Sequence, residues 1–152
     1  MLLPVYLGLL HRSEQSLAHS FRQVADGHAA EPDVLHLCRT LAGQCDAHAE
    51  ALAPIIDRYG EQADDEPDRL HAVALGSVRS GPLGLLRDLQ DLYLLASLVD
   101  ITWTLVKQAG LGLRDEELLG IVADCDAETG VQLSWLRTRM KQAAPQALVV
   151  AS

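Results

Sequence analysis

Aromatic side chains are scarce in this sequence: one Phe, three Tyr and two Trp in 152 residues. β-Branched residues are scattered and form no alternating run, so the pattern of a half-buried sheet is missing. Cysteine is rare and odd in number. Cys38, Cys45 and Cys125 lie within helical patterns, which excludes a disulfide framework and fits reduced thiols in a cytoplasmic protein. Basic residues are also few, 12 against 21 acidic ones, for a formal net charge of −9. That balance excludes a nucleic-acid binder, which needs clustered Lys and Arg, and it disfavours an anionic membrane surface. No phosphate-binding glycine loop, nucleophile–base pair or zinc-finger spacing occurs. No run has the length of a membrane span, and the apolar opening MLLPVYLGLL lacks a basic n-region and is interrupted by Pro4. It reads as the start of a helix.

What is present is Leu, Ala and Val in quantity. Hydrophobic residues make up 49% of the chain, enough for the single domain expected over residues 1–152 to bury a core without staples. Four segments carry helical period. Helix 1 is predicted over about 4–26, with Gly27 as its C′ residue and an inward stripe of Tyr6, Leu10, Glu14, Leu17, Phe21 and Val24. Helix 2 is predicted over 32–59, from Pro32 at its first turn to Gly60 beyond its end. Its stripe is Val34, Cys38, Leu41, Cys45, His48, Leu52, Ile55 and Tyr59, and Pro54 should bend it. Helix 3, about 82–109, shows Leu85, Leu89, Leu92, Ala96, Val99, Trp103 and Val106, with Asp100 on its flank. Helix 4, about 115–144, begins with Asp115, Glu116 and Glu117 and carries Arg137, Arg139 and Lys141 towards its end, as the helix dipole favours.

Short links make helices 1–2 and 3–4 antiparallel hairpins. The link over 60–81 is long enough to cross the bundle, with a possible short helix around 68–75. The expected fold class is therefore all-α, an antiparallel four-helix bundle of ferritin-like order with a long crossover between helices 2 and 3.

Polar residues interrupt the apolar stripes. Glu14 takes a core place on helix 1, Cys45 and His48 lie one turn apart on helix 2, and Cys125 and Glu128 repeat that spacing on helix 4. Asp100 is nearby on helix 3. Charged groups are rarely buried unless they pair or bind a metal. At these residues, and in the segment LAGQCDAHAEALAPIIDRYG, the chain resembles the small bacterial members of the ferritin-like superfamily. Di-iron members of that family carry Glu on helices 1 and 3 and Glu-x-x-His on helices 2 and 4.

The resemblance implies a degenerate metal site of Glu14, Cys45, His48, Asp100, Cys125 and Glu128. Cys45 takes the place of the helix 2 glutamate, and Cys125 and Glu128 take the two places of the helix 4 motif. The metal would be iron, zinc or manganese, with the thiols leaning towards a softer ion, and the implied activity is oxidoreductase or metal storage. The plainer reading makes Glu14 and His48 a structural pair and the thiols small buried hydrophobes. On that reading the protein is non-enzymatic and acts through self-association or a protein partner. Leu94, Leu95 and Leu98, which leave the main stripe of helix 3, would offer a homodimer face.

Overall fold

The computed structural model describes residues 1–60 and 74–151, and those residues form four long helices with no strand among them. Helix α1 spans Leu3–Gly27, α2 Pro32–Tyr59, α3 Gly81–Leu113 and α4 Glu116–Pro145. A single π turn, Gln146–Val150, follows α4. Most of the crossover and its possible short helix lie outside the described residues.

The stripes read from sequence are the ones that face inward. Leu10, Leu17, Phe21 and Val24 of α1, Val34 to Ile55 of the α2 stripe, and all seven α3 positions are buried. In α4 the buried line runs through Leu118, Val122, Cys125, Thr129, Gln132 and Leu136, so Ile121, Glu128 and Trp135 sit at its edge. Leu95 is also buried, contrary to its expected place on the outer face of α3.

Three helix ends differ from expectation, each for a physical reason. Gly110 does not stop α3: α4 packs so closely there that a Cβ would stand 3.1 Å from Leu119, and α3 runs on to Leu113 before Arg114 turns left-handed at φ 53°. Gly27 remains helical. Its bare Cα admits Val78, which any side chain at residue 27 would overlap. Pro145 ends the regular ladder one residue later than expected, and the wider π turn takes over. Arg137, Arg139 and Lys141 therefore fall before the last turn of α4, which holds no basic residue. Asp115 caps α4 by accepting from Leu118 N at 3.1 Å.

Side-chain bonds join the helices in register. Arg22 meets Asp46 and Arg39 meets Asp26 between α1 and α2. Arg137 donates to Tyr93 Oη between α4 and α3. At one end of α2, Arg58 and Tyr59 donate to Asp115; at the other, Arg139 of α4 donates to Asp33 at 2.7 Å. The segment entering α3 lies along α1, where Leu75 N donates to Ser20 Oγ and Val78 covers Gly27.

α3 alone among the described helices is long and apolar enough to cross a membrane by composition, with mean hydropathy 1.3 over its best window. Of that window, 44% is buried among the other helices.

Candidate functional site

The core contains an ionic cluster drawn from all four helices. Glu14 of α1 is fully buried because it occupies a stripe position one turn from Leu10 and Leu17. His48 of α2 points Nδ1 at both of its carboxylate oxygens, each 3.2 Å away. The other ring nitrogen, Nε2, lies 2.9 Å from Glu128 Oε1 of α4. From α3, Trp103 donates its indole N–H to Glu14 Oε1 at 3.1 Å and stands edge-on to the imidazole, with ring centroids 6.3 Å apart.

The burial is graded: the side chains of Glu14 and His48 are 0% and 2% exposed, whereas that of Glu128 is 45% exposed. Glu128 is thus the member that meets water.

Burial pulls His48 towards its neutral form. The hydrogen bonds and charges of Glu14, and then of Glu128, outweigh that pull and raise its pKa overall. The protonated ring then donates from both nitrogens, one bond to each carboxylate. Because the folded pKa lies above the unfolded one, this contribution to stability is complete below about pH 6.5 and is lost as pH rises through the folded value. Unfolding midpoints in urea, measured from pH 5 to 9, should therefore fall on the alkaline side more steeply for the wild type than for His48→Gln. Parallel curves would show that the imidazole is not protonated in the cluster.

The thiols flank this cluster without joining its ion pairs. Cys45 Sγ is 3.7 Å from Gln132 Nε2, which also donates to Gln44 Oε1 at 3.1 Å. Burial, and next the charge of Glu14, push the Cys45 pKa up. Burial likewise pushes Cys125 up to about 12, assisted by Glu14 and Glu128, and Cys38 up to about 12, assisted by Asp33. At neutral pH all three remain buried thiols, not the exposed thiolates that redox or nucleophilic chemistry requires.

Of the six residues expected to converge, Glu14, His48 and Glu128 are bonded together, and Cys45 and Cys125 lie beside them. Asp100 is brought elsewhere, to Asp126 of α4. Burial, and then that second carboxylate, raise its pKa. In this structure both ring nitrogens of His48 face carboxylates, Nδ1 that of Glu14 and Nε2 that of Glu128. Among the described residues no group of three or more His, Cys, Asp or Glu side chains could hold a metal ion.

Two features escaped the sequence reading. Trp103 appeared there only as a member of the helix 3 stripe, and its N–H donor role needs the Glu14 register to be seen. A second buried network joins His28 Nε2 to Asp88 Oδ2 at 2.8 Å, while Arg79 donates to the same carboxylate from its backbone N–H at 2.9 Å and from Nη1 at 2.7 Å. Its one sequence signal is an aspartate, Asp88, inside the apolar run of α3.

Two of the clefts among the described residues are placed by their linings. One of about 430 Å3 is lined by Gly27, Glu31, Gly81, Leu85, Arg139 and Gln142, among others. The other, about 320 Å3, is lined by Leu2, Leu3, Tyr6, Leu105, Val106 and Ala109. Neither is lined by a residue of the ionic cluster.

Fold and site together define an all-α, four-helix protein with a satisfied ionic cluster in its core. Compared with family models, with curated proteins and with solved structures, the chain matches none.

Proposed function

We propose that the chain is a non-enzymatic helical bundle, antiparallel and of ferritin-like order, that works by protein–protein contact through the outer face of α3. The bundle order is supported by the direction of the pairings. Late residues of α1 meet early ones of α2, as Asp26 meets Arg39, early residues of α1 share a groove with late ones of α3, and both ends of α2 meet the opposite ends of α4. On that order α2 and α3 run the same way, so the end of α2 and the start of α3 lie at opposite ends of the helices. The ionic cluster then serves register and stability, because a closed network of carboxylates and imidazole, with its thiols protonated, offers no reactive group to a substrate. A reducing cytoplasmic setting suits three buried, unpaired thiols.

One observation carries the contact role. Leu94, Leu98, Ile101 and Leu105 recur at spacings of four, three and four, opposite Trp103 on the helix, and Leu94, Ile101 and Leu105 are 68%, 51% and 49% exposed. A contiguous apolar stripe of this kind marks an interaction surface. The groove beside Leu105 extends it towards α1.

The test is cross-linking in intact cells with wild type and a Leu94→Glu, Ile101→Glu variant, with thermal unfolding as a control. The reading expects a cross-linked species, with the chain itself or with another protein, that disappears in the variant while the melting temperature is kept. No cross-linked species, or one indifferent to the variant, removes this function. Elemental analysis separates the rival metal reading: stoichiometric iron, zinc or manganese, lost in a Glu14→Ala, His48→Ala variant, would replace the structural role of the cluster.

A further inference from the structure

The flank of α4 that adjoins α3 is marked by Asp126, which faces Asp100, and by Arg137, which bonds Tyr93. Helical spacing places Glu116, Ala123, Gly130, Ser134 and Lys141 along the same flank, all exposed. Charge along α4 is sharply divided. From Asp115 to Glu128 there are six acidic residues and no Lys or Arg, whereas the stretch 137–141 holds Arg137, Arg139 and Lys141 and no acid. Arg139 turns away to Asp33 and Glu31, which leaves Arg137 and Lys141 on this flank.

The midpoints coincide. Asp126 is level with Asp100 and Arg137 with Tyr93, so Gly130, midway between the acidic and basic ends, is level with Leu98 at the centre of the α3 stripe. A chain of net charge −9 repels its own copies over most of its surface. Here an uncharged stripe lies beside a flank whose two ends have opposite sign. Turned end for end about an axis across the helices, two such faces bring their α4 flanks together with acid opposite base; set in the same direction about an axis along the helices, they put the two α4 flanks on opposite sides of the paired α3 stripes, where the charges do not meet.

We infer that the partner of the α3 face is a second copy of this chain, bound antiparallel across a two-fold axis near Leu98 and Ile101. Glu116 and Asp126 of one copy then face Arg137 and Lys141 of the other. This rests on the reading that the outer face of α3 is the contact surface, and it adds the partner and its orientation. The small residues Ala123, Gly130 and Ser134 let the two α4 helices approach, and Leu94 of one copy packs near Leu105 of the other.

Light scattering of the full chain should give twice the chain mass. Leu94→Cys and Leu105→Cys chains, both altered at exposed positions, test the orientation under mild oxidation, because the native thiols are buried. An equimolar mixture should yield several-fold more covalent dimer than either chain alone. An Arg137→Glu, Lys141→Glu variant should bind itself about tenfold more weakly, with the loss reduced at high salt.

Same-site dimers from Leu94→Cys alone, in yield equal to the mixture, would overturn the antiparallel arrangement and leave the contact surface standing. A monomeric wild type that still cross-links to another protein through the stripe would overturn the second copy as partner. Loss of all cross-linking in cells defeats the underlying contact reading instead.

Discussion

In a His48→Ala variant the midpoint of thermal unfolding is expected to fall by roughly 10 °C, from a loss of about 3–5 kcal/mol. The loss comes less from the bonds His48 makes than from what its removal leaves behind. Glu14 has no exposure at all, and without the imidazole its charge is left with the Trp103 N–H and no counter-ion beside it. A buried charge stripped of its counter-ion costs several kcal/mol unless it takes up a proton. Glu128 would lose much less, since its half-exposed carboxylate can turn to water. Glu14→Ala made in the His48→Ala background should therefore cost far less than Glu14→Ala alone, and a double-mutant cycle by urea unfolding should give a coupling above about 1 kcal/mol. Additive losses would show that the two side chains do not act as a pair.

The second large effect is expected at Trp103, the bulkiest of the fully buried side chains. Trp103→Ala should cost about 3–5 kcal/mol through the cavity it opens between α3 and α1. Trp103→Phe separates that packing from the polar contact. It keeps most of the ring volume but deletes the only indole donor to Glu14, so a further loss of about 1.5–3 kcal/mol is assigned to the charge-assisted hydrogen bond. Because the deleted bond orients Glu14, whose contact with His48 raises the imidazole pKa, the alkaline decline of stability should also shift in Trp103→Phe. A Trp103→Phe protein as stable as the wild type, with an unchanged pH profile, would reduce Trp103 to packing alone.

How far the sequence disclosed this arrangement differs from residue to residue. The α2 boundaries were legible because Pro32 and Gly60 act locally, through a fixed φ and a left-handed turn at φ 87°. The end of α3 was misplaced for the converse reason: Gly110, just past the expected end, admits Leu119, a contact made by another helix. Glu14 and His48 stood out because a charge and an imidazole inside an apolar stripe have few alternatives to each other. Asp100 lies on the edge of its stripe, where a small rotation decides whether it faces the core or α4, and periodicity does not fix that rotation. Leu95 failed in the same way, turning inward while Ile101 and Leu105 completed the outer face. The His28–Asp88 contact spans 60 residues and has no periodic trace.

The core cluster also sits at a seam. Glu14 and His48 are 34 residues apart within the α1–α2 pair, whereas Glu128 and Trp103 come from the α3–α4 pair, 80 and 89 residues from the groups they meet. Local helix pairs close quickly because little chain entropy is lost in joining them, and distant ones close later. Chain entropy therefore favours joining each helix pair before the two halves meet, each half carrying part of the network unfinished. Trp103 and Glu128 complete it only when the halves meet, so the cluster acts as a clasp that shuts on correct assembly.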